Sequence, residues 1–253
     1  NWGDIRTGDK AAASRYIEAR LTEFAKEVIF NNNITDYQLS YDGRNNEPIS
    51  LPVKFPLVLI QGTDGIAVGL STKILPHNFK EIIKSSILFL KGKSFQIYPD
   101  FQTGGLIDVN NYNNGKKGGR VRVRSNIQII DKNTLRINDL PYGVTTANLI
   151  DSIVKANNNG KIKIKSIEDN TAQEVEVMIN LIKGVSPNVT IDALYAFTNC
   201  EISVSPNCCV VIDKKPEFTS VNELLRASTY NTVELLKTEL EYDLKVLYSK
   251  AHS

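Results

Sequence analysis

Arg15 and Tyr16 stand side by side in the sequence and place a guanidinium next to a phenol. A phenol is protonated at neutral pH, so it works as a nucleophile only when its surroundings help it lose that proton. A neighbouring guanidinium can neutralise charge that builds on an oxyanion and donate charge-assisted hydrogen bonds to it. The pair by itself means little: Arg15 could equally face solvent and pair with Glu18, and Tyr16 could be a partly buried packing residue. A second basic element follows downstream, where Lys116, Lys117 and Arg120 precede Arg122 and Arg124. In a strand, residues 120, 122 and 124 would share one face while Val121 and Val123 took the core side. Such a row suits phosphate contacts that ignore base sequence, and it also serves as an ordinary charged surface. His77 and His252 have no companion ligands at metal spacing, and no Walker A or dinucleotide motif is present. Cys200, Cys208 and Cys209 are odd in number, two are adjacent, and none forms a CxxC, so they read as buried thiols and not as a disulfide framework or zinc site.

The elements that must carry these groups are read from periodicity. Ile17, Leu21, Phe24 and Val28 recur at helical spacing and predict an amphipathic helix over 11–30, with Asp9 as its N-cap and Tyr16 on the shoulder of the apolar stripe. Paired asparagines, Asp42-Gly43 and three prolines make 31–56 an irregular connection with at most short extended pieces. The apolar run 55–60 reads as a buried strand leading into the glycine-rich segment Gln61 to Leu70, whose three glycines permit tight turns and close approach to another molecule. Asn78 with Glu81 opens a helix carrying Ile82, Ile83, Ile87, Leu88 and Leu90. Strands are expected near 105–109, 120–130, 134–138, 161–167, 174–182 and 208–212, with helices near 147–156 and 191–198. From 221 to 248, leucines at three- and four-residue steps predict a long helix of coiled-coil type. Strands and helices without regular βαβ alternation indicate an α+β fold.

The 253 residues, 42% hydrophobic and 23% charged, suffice for one large core or two modest ones. Thirty basic against 28 acidic residues leave a net charge of +2, so binding to a polyanion must come from local clustering. No apolar run approaches the ~20 residues of a membrane span, and no signal peptide opens the chain, which predicts a cytoplasmic protein. The absence of an initiator Met and an opening rich in Gly, Asp and Ala predict a piece of a longer protein.

A family resemblance rests on motifs in order. Asn1-Trp2-Gly3-Asp4, then Ala11-Ala12-Ala13-Ser14-Arg15-Tyr16-Ile17-Glu18-Ala19-Arg20-Leu21, closely resembles the segment around the catalytic tyrosine of bacterial type IIA topoisomerase A subunits, those of gyrase and topoisomerase IV. Tyr41-Asp42-Gly43, Glu47-Pro48, Leu51-Pro52, Gly65-Ile66-Ala67-Val68-Gly69, Pro76-His77-Asn78, Pro99-Asp100-Phe101, Thr103-Gly104-Gly105 and Leu140-Pro141-Tyr142 continue it, so essentially the whole chain is covered. Trp2 is more similar to topoisomerase IV, since gyrase more often has Phe there. Ile17, Leu75 and Gln102 depart from the common pattern, and none removes a group that does chemistry.

The resemblance implies an internal portion of the breakage-reunion region. Residues 1–54 would be the end of a winged-helix domain, 55–216 a mixed α/β tower, and 217–253 the start of a coiled-coil arm. Tyr16 would attack a DNA phosphodiester and hold the 5′ phosphate during double-strand passage, decatenation and relaxation, with Arg15 stabilising the phosphoryl charge. Ile66 would insert between base pairs of bent DNA, where unstacking costs a few kcal/mol per step. Lys73 and His77 would lie within reach of phosphates, as would the row Arg120, Arg122 and Arg124. Mg2+ and ATP would belong to the partner B subunit, leaving this chain without metal or cofactor of its own and, in isolation, inactive. The intact protein would be a homodimer within an A2B2 assembly on double-stranded DNA, associated with the nucleoid. The other readings are the gyrase A subunit, with negative supercoiling, and a DNA-binding scaffold that has lost the reaction.

Overall fold

The structure, a computed structural model, describes residues 1–252. In chain order, a single 3-10 turn at Ser14–Tyr16 precedes helix α1 (Glu23–Val28), strands β1 (Tyr37–Leu39) and β2 (Asn46–Pro48), and α2 (Leu57–Gln61). Then come β3 (Thr63–Ala67), β4 (Leu70–Ile74), α3 (Phe79–Leu90), β5 (Leu106–Asp108), β6 (Val121–Arg124), β7 (Ile127–Asp131) and β8 (Thr134–Ile137). The chain continues through α4 (Thr146–Asn158), β9 (Ile164–Asp169), β10 (Val177–Leu181), α5 (Pro187–Phe197), β11 (Glu201–Val204), β12 (Cys209–Ile212), β13 (Lys215–Phe218) and α6 (Val221–Ala251). The architecture is α+β, as the sequence indicates. Among the described residues, no helix is long and apolar enough to cross a membrane.

The chain folds as two compact units, one made of 1–18 with 100–207 and the other of 19–99 with 208–253. In the first, an antiparallel sheet of order β7-β8-β10-β9 contributes one apolar face. Alternation decides which: Leu135 and Ile137, and Val177, Ile179 and Leu181, are buried, while the residues between them stay accessible. Helix α4 brings Leu149, Ile153 and Ala156 to the same core, and α5 brings Leu194. Each such Leu or Ile, fully buried, stabilises by about 1.5–3 kcal/mol. Thr145 caps α4, its side chain accepting from the Asn148 N–H at 3.2 Å. A second sheet, β11-β6-β5, is also antiparallel throughout.

In the second unit, Asn78 caps α3 as its spacing from Glu81 predicts, accepting from the N–H groups of Lys80 and Glu81. Helix α6 packs on α3 through an edge-to-face contact of Phe89 and Tyr230, with ring centroids 5.0 Å apart. Phe24, Phe55 and Phe79 form an aromatic cluster with centroids 5.8 to 6.3 Å apart. Glu239 on α6 closes this body: its carboxylate lies 2.7 Å from the Lys54 ammonium and accepts from the Asn31 amide at 2.8 Å. Beyond it, Leu240, Leu244 and Leu247 are exposed.

Two expectations are overturned. The helix over 11–30 is only the turn at 14–16 and the six-residue α1, joined by extended chain that begins at Ile17. Phe24 of the stripe meets the rings of Phe55 and Phe79, but neither helical piece buries a residue, and a stripe that stays so accessible does not hold a long helix together. Asp9 therefore caps nothing, and Thr22 takes that role for α1, accepting from the Ala25 N–H at 3.1 Å. The run 55–60 is the short helix α2 and not a strand, since Pro56 sits at its N-cap and Leu59 alone is buried. Length and apolarity do not separate these states in so short a run. The segment 120–130 is two strands, parted at Ser125 and Asn126, and β11 and β13 lie where no strand was expected.

Replacing Glu239 by Gln is expected to destabilise the second unit by about 1–2 kcal/mol at neutral pH, between the values of exposed and buried pairs. Burial pushes the Glu239 carboxyl up, but the hydrogen bonds from Lys54 and Asn31 outweigh it and hold the group below its ordinary 4.5. The stabilisation is therefore complete above that value and is lost as pH falls through the lowered native value. Urea unfolding of the two proteins should converge in acid; a gap undiminished there contradicts the assignment.

Candidate functional site

Residues 1–12 form a looped segment whose bonds are nearly all local. Asp4 accepts from the Arg6 N–H at 2.7 Å, and the Asp4 and Asp9 backbones bond at 3.0 Å. Gly3 has φ +81°, and a Cβ there would lie 2.7 Å from the Asp9 carbonyl oxygen, so no side chain is tolerated. The loop is stapled to the first unit's core at one point, where the Thr146 N–H at the start of α4 donates to the Arg6 carbonyl at 2.7 Å. Gly8 passes close to the cap of the same helix: a Cβ on it would meet the Thr145 side chain at 2.9 Å.

From this loop the chain turns once, with the Tyr16 N–H bonded to the Ala13 carbonyl at 2.9 Å, and leaves as extended backbone. Tyr16 is 73% exposed. Arg15 is exposed too, and its guanidinium carbon lies 4.7 Å from the centroid of the Tyr16 ring. Stacking is worth about 0.5–1 kcal/mol in an exposed pair, and it stands where the alternative reading of the sequence had a pairing with Glu18. The pair presents a hydroxyl to solvent with a cation held beside the ring.

The glycine-rich segment becomes a hairpin. Ile66 pairs with Ser71 and Ala67 with Leu70, leaving Val68-Gly69 as a two-residue turn. Ile66 on the strand is 91% and Val68 in the turn 102% exposed, and Ile66 shares its face of the ribbon with Ser71 opposite it. Lys73 lies on that face further down, paired with Asp64 at 2.8 Å, its direct cross-strand neighbour.

His77 corrects the expectation of a surface contact: it is 4% exposed, with Nδ1 2.8 Å from the Leu59 carbonyl. A carbonyl only accepts, so Nδ1 carries the proton and the ring secures the end of α2. Burial removes the side chain from phosphate reach.

In the first unit, β6 places Val121 and Val123 in the core and Arg122 and Arg124 outward, with Arg120 exposed just ahead of the strand. Both strand arginines face acids on flanking strands. Arg122 meets Asp108 on β5 at 2.7 Å, and Arg124 meets Glu201 on β11 at 2.5 Å while stacking 4.5 Å over the Tyr195 ring. The hydrogen bond from Arg122 holds the Asp108 carboxyl below its usual range, assisted by the Asn110 N–H. This row is thus largely neutralised from within. No sequence pattern singles out Asp108 and Glu201; only the strand register reveals them. The first unit carries Arg15, Tyr16 and the arginine row, and the second carries Ile66, Lys73 and His77. Among the described residues, no three His, Cys, Asp or Glu side chains cluster to hold a metal ion.

A family model described as the A subunit of DNA gyrase/topoisomerase IV matches residues 1–253. The A subunit of DNA topoisomerase 4 from Borreliella burgdorferi is 46% identical over 99% of this chain and 40% of its own length. The DNA gyrase A subunit of Lawsonia intracellularis is 32% identical, and that of Metamycoplasma arthritidis 31%, each over the whole of this chain and 33% and 30% of their own lengths. The chain thus spans less than half of these relatives.

Because neither side chain packs in the chain, Tyr16→Phe and Ile66→Ala should each shift the unfolding free energy by less than about 0.5 kcal/mol. Thermal or urea unfolding reads this, and a loss above about 2 kcal/mol would mean a packing role instead.

Proposed function

The chain belongs to the family of DNA gyrase/topoisomerase IV A subunits, and from that premise we propose that it is the DNA-cleaving portion of a type IIA topoisomerase, with Tyr16 as nucleophile. The observation that carries this reading is the exposed Tyr16 hydroxyl with the Arg15 guanidinium stacked beside its ring. The greater identity to a topoisomerase IV protein than to the gyrase proteins favours decatenation and relaxation over supercoiling.

The reaction is an exchange of esters. The Tyr16 oxygen forms a bond to phosphorus as the bond to the DNA 3′ oxygen breaks; the phenol gives up its proton and the released 3′ oxygen gains one. One phosphodiester replaces another, so no energy source enters the cleavage step, and reversal restores both DNA and tyrosine. A phenolate leaves more readily than an alkoxide, which suits a bond that must be undone. Arg15 is placed to offset charge on the phosphoryl oxygens. Ile66, on the hairpin tip, supplies an apolar edge suited to opening a base step in bent duplex.

By its family membership we assign Mg2+ and ATP to a partner B subunit, within an assembly of two copies of each protein, and derive no step of this chain through either.

In the full-length assembly, Tyr16→Phe should abolish covalent protein–DNA adducts while leaving DNA affinity within about twofold; adducts that persist exclude Tyr16 as nucleophile. Arg15→Gln should slow adduct formation by about 10²–10³, the range for loss of one oxyanion partner. For Ile66→Ala, DNA bending measured by fluorescence transfer between duplex ends should fall together with cleavage, and unchanged bending removes Ile66 from that role.

A further inference from the structure

We propose that Lys161, Lys163 and Lys165 form a second row that grips the phosphate backbone of duplex DNA away from the reacting tyrosine, an inference that rests on the DNA reading above. These residues lead into and begin β9, the edge strand of the four-stranded sheet. Ile162 is buried and Ile164 packs on the core, so the three lysines between and beside them are exposed on the other side. The backbone beneath them is fixed. The Lys161 N–H donates to the Ala156 carbonyl at 2.9 Å, and the Ile164 N–H donates to the Asn157 side chain at 3.1 Å. The Lys161 ammonium also lies 5.1 Å from the Phe197 ring centroid.

What distinguishes this row from the basic side chains of β4 and β6 is the lack of a counter-charge. Arg122, Arg124 and Lys73 each face a carboxylate across a strand. Among the described residues, no carboxylate lies within ion-pair distance of Lys161, Lys163 or Lys165, so three positive charges stand unanswered within five consecutive residues. Lysines do protect edge strands from pairing with another sheet. Here, though, a register shift between Asn180 and Leu181 leaves Lys165 as the extra residue of a bulge, which already disrupts the edge. Protection alone does not call for three cations in a row. A protein partner would need an apolar anchor at the centre of the contact; the isoleucines between the lysines face inward, and the exposed Phe197 stands at the Lys161 end of the row and not at its centre. A run of flexible ammonium groups without a central anchor fits a phosphate backbone, where each neutralised phosphate releases counterions.

The test uses the full-length protein, comparing K161Q/K163Q/K165Q with K161R/K163R/K165R. Binding is measured across a salt series, on a duplex confined to the cleavage site and on one extending several helical turns beyond it. The glutamine variant should bind the long duplex with a log–log salt slope shallower by about 2–3, bind the short one as before, and still form the Tyr16 adduct; the arginine variant should restore the slope. An unchanged slope on the long duplex overturns the lysine row and leaves the Tyr16 reading standing. So does a glutamine variant whose only defect is self-association without DNA. Failure of the unsubstituted assembly to form any adduct would instead remove the Tyr16 reading.

Discussion

The first N–H groups of a helix have no partner within it, and in this chain one such group holds in place the segment that leads to Arg15 and Tyr16. The Thr146 N–H at the start of α4 reaches the Arg6 carbonyl, tying a twelve-residue loop to a core that the loop does not enter. Everything upstream of Tyr16 depends on that tether and on two glycines that let the backbone pass where a side chain would collide. The arrangement answers a conflict in the chemistry. A nucleophile that must meet a large polyanion cannot be buried, yet it must be held in place, and a loop fixed to a helix terminus satisfies both demands.

Charge in this molecule is managed pair by pair. A net charge of +2 hides strong local contrasts: Asp108 and Glu201 answer the arginines of β6, Asp64 answers Lys73, and Glu239 answers Lys54. The most buried of these pairs, Lys54 with Glu239, joins segments far apart in the chain, whereas the others span neighbouring strands. Basic groups without such answers are the ones available to an external anion.

Periodicity made much of the fold legible. The alternation at 120–124 identified the buried valines of β6, Asn78 and Glu81 marked the start of α3, and the leucine spacing gave α6. It failed where the outcome depended on a surface the sequence does not display. The stripe from Ile17 to Val28 has the right spacing for a helix but buries none of its residues, and the run ending at Ile60 was too short to tell helix from strand. At the site, Tyr16 is exposed and Ile66 stands exposed near the end of the β3–β4 hairpin. The sealing of His77 and the acids opposite Arg122 and Arg124 depend on contacts made by residues distant in the chain, which no local pattern reveals.

The chain passes from one compact unit to the other at 18–19, again at 99–100, and back at 207–208. Phe89 on α3 therefore waits for Tyr230 on α6 until roughly 140 further residues have left the ribosome, which takes roughly seven to thirty seconds at about 5–20 residues per second. Through that interval the aromatic face of α3 lacks its cover while the intervening unit completes itself. Biosynthesis thus imposes an order: the unit of 1–18 and 100–207 is complete first, and the unit that takes up the chain at residue 19 finishes last.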